Sequence, residues 1–389
     1  MRVLCTAQMG TGNVIGQTMR AVAVAKALQR RGHEVKFIAA GTLLPVIKNF
    51  GFDVWETAKM PSAPPDEIIP RLPAMLQQIR QIEREVALTE KPHLIISGTL
   101  TGTTVARELG IPSLMTFLQP HGEKTIDAFK SLTQRYDGPV METLLAELVG
   151  AFEAADLIIL EGMPEISGGI TFETFGDALV KSKEKFRFAG PLLVEYPAQL
   201  PERDALKKTH IGEAQQKMAY ITIGGSAMIG ERFLATVLDA LRLLPEVTAV
   251  IAAGIEFSPE AITKFDPPAN AIIRGFVPGT EMIKASDVTV FHGGSSTLMT
   301  CIACGTPAVV IPSMGEQEDN GAVLAQIGAG IVLDKKTLTP SSFAEAMQKV
   351  LHDTSYRKNA RQLKTLGEKY GGASAVADWA EALMKAAVT

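Results

Sequence analysis

Phe291–Pro312, FHGGSSTLMTCIACGTPAVVIP, decides how this chain folds. An apolar, β-branched run (Val288, Thr289, Val290) leads into a histidine, two glycines, two serines and a threonine. Beyond them the spacing predicts a helix, and then a second apolar strand over TPAVVIP. Strand, glycine turn, helix and strand make the repeating unit of a parallel α/β sheet. Gly293 and Gly294 let a ligand approach the backbone closely, while Ser295, Ser296 and Thr297 open the helix. The unpaired N–H groups and dipole of a helix start favour an anion, and His292 can donate to a phosphate oxygen. Without a ligand, the same residues would make an ordinary βα turn with N-capping serines. Cys301 and Cys304 sit inside the apolar helix and read as small core residues rather than a redox pair.

The same alternation extends in both directions. Upstream, MAYITIGG, VTAVIAAG and NAIIRGFV read as strands, with ERFLATVLDALRLLP as a helix among them. Downstream, NGAVLAQIGAG is a helix and two more close the chain. A proline-rich, polar stretch near residues 191–217 reads as a linker. Before it the rhythm recurs: RVLCTA, HEVKFIAA, FDVWET, HLIISG, IPSLMTFL and DLIILEG are strands separated by helical patterns. Two domains are therefore expected, residues 1–200 and residues 215–389, the last helix packing back on the first. Each should be a doubly wound, Rossmann-like α/β domain, with ligands beyond the carboxyl ends of its strands and a cleft between the two. The irregular segments Met60–Pro73 and Gln119–Pro139 follow strands and are placed to shape a substrate site.

Bulk properties narrow the function. A net charge of −4 over 389 residues gives no nucleic-acid footprint. Three cysteines make no disulfide framework. No run is long and apolar enough for a membrane span, and the N-terminus lacks the apolar core of a signal peptide. A cytoplasmic protein is expected.

The chain resembles the inverting, GT-B-fold glycosyltransferases that use nucleotide sugars, in particular the bacterial natural-product and macrolide type. The resemblance rests on His292, Gly293, Gly294, Thr297, Gly305, Pro307, Pro312, the pair Glu316–Gln317 and Asn320. Upstream, RGFVP matches the segment that meets the base through Phe276 and Val277, and ITIGGS supplies the Gly-Ser loop, Gly225 and Ser226. The resemblance implies a donor domain in the second half and an acceptor domain in the first. The diphosphate would lie on the start of the helix at Ser295, and sugar hydroxyls would meet Glu316 and Gln317. No D-x-D pair stands ready to bridge a diphosphate, so no metal or other cofactor is expected.

Two departures from the family pattern matter. Where members using uridine diphosphate sugars carry a ribose-binding glutamate, this chain has Thr300, which leans the donor toward a thymidine diphosphate sugar. The family's general-base histidine after the first strand is replaced by Asn13, and the aspartate that orients it has no counterpart among Ser97, Gly98 and Thr99. Asn cannot take a proton at neutral pH. His121, in FLQPHGEKT on a strand-end loop of the acceptor domain, is the base expected in its place, with Asn13 positioning the acceptor and Glu123 or Asp127 as rivals. The expected reaction is inverting transfer to a small, apolar acceptor such as a secondary metabolite. A uridine diphosphate donor, a sugar-nucleotide 2-epimerase and a catalytically silent nucleotide-binding partner are the alternatives, and a homodimer or auxiliary protein is left open.

Overall fold

The computed structural model describes residues 1–7, 15–41, 43–58, 65–125, 127, 131, 138–167, 182–213, 216–222, 231–253, 259–275 and 277–387. The chain divides into two units: Met1–Gln119 with Ile126–Val194 and Tyr370–Thr389, and Pro120–Thr125 with Glu195–Lys369.

The first unit holds β1 (Arg2–Thr6), β2 (Glu34–Ala39), β3 (Asp53–Glu56), β4 (Leu94–Ser97), β5 (Ser113–Leu118), β6 (Leu157–Glu161) and β7 (Phe186–Phe188). Its helices are α1 (Ile15–Arg30), α2 (Leu43–Asn49), α3 (Pro65–Ile68), α4 (Leu72–Glu90), α5 (Gly102–Glu108) and α6 (Pro139–Ala154). The strands form one sheet in the order β3-β2-β1-β4-β5-β6-β7, every pair parallel. The order reverses between β1 and β4, and such a switch point is where doubly wound sheets open to ligands. Both faces are covered, so the central strands are apolar throughout: all four residues of β4 are buried.

The second unit continues with α7 (Arg203–Ile211), β8 (Lys217–Thr222), α8 (Glu231–Arg242), β9 (Val247–Ala252), α9 (Pro259–Thr263), β10 (Ala271–Arg274), α10 (Gly279–Ala285) and β11 (Val288–Phe291). It is completed by α11 (Ser295–Cys304), β12 (Ala308–Val310), α12 (Gly315–Ile327), β13 (Gly330–Val332), α13 (Pro340–His352) and α14 (Thr354–Glu368). Its sheet, β10-β9-β8-β11-β12-β13, is again wholly parallel and reverses between β8 and β11. Val237, Leu241, Ile251, Val290, Phe343 and Met347 form the middle of its core, where α8 and α13 cover the strands. The chain's last helix, α15 (Gly372–Ala386), belongs to the first unit: Arg31 pairs with Asp378 at 2.6 Å, and His33 meets Glu381 at 3.0 Å.

The expected linker is built structure instead. α7 forms within it, and the segment is strapped to the second unit. Buried Lys207 pairs with Asp287 at 2.8 Å, Arg203 pairs with the same carboxylate, and Lys284 donates to the carbonyls of Pro197 and Leu200 at 2.8 and 3.0 Å. Among the described residues three helices follow β13 rather than two. α12 starts at Gly315, ahead of the pattern read from Asn320, with Glu316 and Glu318 in a first turn whose dipole suits acidic residues.

Candidate functional site

The second sheet switches direction where Phe291 ends β11, and the next residues are His292, Gly293 and Gly294. Gly294, rather than a serine, caps α11. The first intrahelical bond runs from Leu298 N–H to the Gly294 carbonyl at 3.0 Å, so the N–H groups of Ser295, Ser296 and Thr297 lie ahead of the ladder. Gly293 has φ +92, and a Cβ there would stand 2.6 Å from the Gln317 carbonyl oxygen. Only glycine fits that approach of the turn to α12.

α12 meets this turn with its opening residues. Ser295 Oγ donates to Glu316 Oε1 at 2.6 Å. Gln317 is buried, and its side-chain oxygen accepts from Ser313 N–H at 2.9 Å. The expected sugar-binding pair thus sits in the first turn of α12. Asn320, also buried, donates to the Gly293 carbonyl at 2.7 Å and to Ser295 Oγ at 3.2 Å. Thr300 is buried and its hydroxyl donates back to the Ser296 carbonyl at 2.8 Å. His292 Nδ1 is buried with no hydrogen-bond partner among the described residues. Burial pushes its pKa down, against the pull of Glu316.

His121 follows β5 of the first unit, as expected from the sequence, but its partner comes from far along the chain. The segment Pro120–Thr125 goes with the second unit, and the ring, 3 % exposed, meets Asn320 Oδ1 through Nδ1 at 2.7 Å. Its Nε2 is buried and has no hydrogen-bond partner among the described residues. Desolvation lowers its pKa; the Asn320 bond and the charges of Glu316 and Asp319 oppose that shift. Glu123, offered as a rival, is exposed, and Asp127 lies in the first unit. Asn13, Gly225, Ser226 and Phe276 lie outside the described residues; Val277 is half-buried between β10 and α10. The thiols of Cys301 and Cys304 are free, and burial pushes that of Cys304 up to about 12. Among the described residues no group of three or more His, Cys, Asp or Glu could hold a metal ion, and no helix is long and apolar enough to cross a membrane.

The ligand end of the first sheet holds a residue that motif reading passed over. Glu83 on α4 is 1 % exposed. Its two carboxylate oxygens accept from Thr99 Oγ1 and Thr101 Oγ1, both at 2.6 Å, and the Thr6 hydroxyl lies 3.1 Å from that of Thr99. Ser97 Oγ donates to the Thr99 carbonyl at 2.8 Å. A carboxyl supplied by α4 therefore stands against Thr99. Burial pushes its pKa up to about 7, although the hydroxyls of Thr101, Thr99 and Thr6 and the charge of Arg80 all pull it down. The sequence signal was present: Met75, Leu76, Ile79, Glu83, Val86 and Ala87 share the buried stripe of one helix.

Comparison with known proteins shows what this geometry resembles. Residues 241–369 match the family described as Erythromycin biosynthesis protein CIII-like, C-terminal domain. An uncharacterized glycosyltransferase of Methanosarcina mazei is 27% identical over 387 residues, covering 95% of this chain and 96% of that protein. Among solved structures, the glycotransferase of kitacinnamycin superposes with a TM-score of 0.72 at 18% identity, covering 98% of this chain and 99% of that one. The Streptomyces sp. SF2575 glycosyltransferase SsfS6, complexed with thymidine diphosphate, has a TM-score of 0.65 at 20% identity, covering 98% of this chain and 99% of its own. With two parallel, doubly wound sheets and this likeness along nearly its whole length, the chain has the GT-B fold and is similar to glycosyltransferases of natural-product type.

Proposed function

We propose that the chain transfers a sugar, with inversion at the anomeric carbon, from a nucleoside diphosphate sugar to a hydroxyl of a small, apolar acceptor. The observation that carries this reading is the turn His292–Gly294 at the switch point of the second sheet, opening on N–H groups of α11 that lie ahead of its hydrogen-bond ladder. A departing diphosphate gains negative charge as its bond to the sugar breaks, and fixed donors at its oxygens stabilise that charge. The N–H groups of Ser295, Ser296 and Thr297 and the ring of His292 are assigned that work, which they can do without a metal. Gly225 and Ser226 are assigned to the donor as well, and Phe276 and Val277 to its base. The second carboxylate oxygen of Glu316 and the amide of Gln317 are assigned to sugar hydroxyls.

Thr300 supports a thymidine donor. Its hydroxyl is already bonded to the Ser296 carbonyl, and no carboxylate stands at that position for a ribose 2′-hydroxyl. The thymidine diphosphate named with SsfS6 agrees with this choice. For the proton we assign His121, whose Nε2 has no partner among the described residues. Leaving a buried acceptor unpaired costs about 1–3 kcal/mol, and a ligand hydroxyl removes that cost. As the acceptor oxygen attacks the anomeric carbon, its proton passes to Nε2 and the C–O electron pair leaves with the diphosphate.

The test is incubation with thymidine diphosphate glucose and a panel of hydroxyl acceptors, followed by NMR. A glycoside of inverted anomeric configuration is expected. Thymidine diphosphate should bind more tightly than uridine diphosphate in calorimetry, and Thr300→Glu should reverse the order. Epimerised donor without acceptor would identify an epimerase, and bound nucleotide with no turnover a silent partner. Equal affinities unchanged by Thr300→Glu would refute the thymidine choice.

A further inference from the structure

α12 offers two pairs of residues one turn apart. Glu316 and Gln317 face the turn after β11, while Asp319 and Asn320 engage the segment Pro120–Thr125. We propose that Asn320 is the positioning residue of His121: its amide fixes the ring as the Nδ1–H tautomer, and Asp319 clasps the segment that carries the ring.

The tautomer follows from the partners. A backbone carbonyl can only accept, so the group of Asn320 lying 2.7 Å from the Gly293 oxygen must be its NH₂. The amide oxygen therefore faces His121 at 2.7 Å, and the nitrogen opposite it, Nδ1, must carry a hydrogen. In a neutral imidazole the single ring hydrogen is then accounted for, and Nε2 keeps its lone pair. A second proton is opposed by burial and favoured by the Asn320 bond and by Glu316 and Asp319, with burial the largest effect. Of the other charged groups on these two elements, Lys124 and Glu318 pair with each other and Glu123 is exposed.

Asp319 holds the segment itself. Its Oδ2 accepts from Thr125 N–H at 2.7 Å and from Thr125 Oγ1 at 2.6 Å. A Cβ on Gly122 would lie 2.4 Å from Asp319 Oδ1, so the backbone is seated directly on the carboxylate. Through Asn320, the ring is tied to the Gly293 carbonyl, in the turn assigned to the diphosphate. One amide thus links the phosphate turn to the lone pair assigned to the acceptor proton.

The use of that lone pair rests on the transferase reading, whereas the state of the ring is measured without turnover. The full chain is labelled with ¹⁵N-histidine, and its six ring systems are followed by long-range ¹H–¹⁵N spectra across pH, with His121→Gln identifying the signal. His121 is expected as the neutral Nδ1–H tautomer at pH 7, titrating below an ordinary histidine. Asn320→Asp puts a carboxylate against Nδ1 and should raise that midpoint by about one pH unit or more. An Nε2–H tautomer or an imidazolium at pH 7 in the unaltered protein would overturn the proposal, whether or not the variant folds. So would an unmoved midpoint in a folded Asn320→Asp chain. If no sugar is transferred while the ring behaves as described, the transferase reading fails and the tautomer assignment stands.

Discussion

His292 and His121 both have their pKa values lowered by burial, yet their proposed tasks differ. His121 has its Nδ1 hydrogen committed to Asn320 and offers a lone pair, so it suits a hydroxyl and repels a phosphate oxygen. His292 has a buried Nδ1 without a hydrogen-bond partner among the described residues and follows the strand directly into the glycine turn. It is the histidine proposed to donate to the diphosphate. A hydrogen bond to a charged group contributes about 1.5–3 kcal/mol. His292→Ala should weaken thymidine diphosphate binding by about that amount in calorimetry; an unchanged dissociation constant would place its ring elsewhere.

At the scale of elements, Glu83 joins α4 to the ends of β1 and β4 and to the start of α5 through Thr6, Thr99 and Thr101. The nearest stabilising cation, Arg80 on the same helix, is turned to Glu147. A carboxyl whose folded pKa is raised, here to about 7 from 4.5, stabilises the fold fully below the lower value. That contribution is lost as the pH rises through the upper one, because the unfolded chain releases its proton first. Glu83→Gln keeps the shape and removes the titration. Between about pH 5 and about pH 8 the unaltered protein should lose on the order of 3 kcal/mol relative to this variant in denaturant unfolding. A constant difference across that range would show that the carboxyl does not titrate there.

For the whole molecule, the proposed donor site should couple nucleotide to stability. A ligand bound only by the folded chain at a hundred times its dissociation constant stabilises by about 2.7 kcal/mol. Thymidine diphosphate should therefore raise the melting temperature, and EDTA should leave the increase intact, because N–H groups, hydroxyls and His292 are assigned to the phosphates. An increase that vanishes in EDTA and returns with magnesium would require a metal in the site.

The amino-acid sequence by itself determined the alternation of strands and helices and the glycine turn at Gly293–Gly294. These are written in patterns a few residues long: apolar runs for doubly covered strands, a period of 3.6 for helices, glycine where backbone must come close. β7 and β13 escaped because three-residue edge strands carry too little pattern, and α7 because its proline-rich surroundings read as a linker while Asp287, far along the chain, supplies its anchor. Tertiary structure alone decided the surroundings of His121. Its partner Asn320 is 199 residues away, and no local periodicity encodes a contact at that distance. The burial of Glu83 against Thr99 and Thr101 was likewise decided by tertiary structure, since those partners are 16 and 18 residues away on other elements.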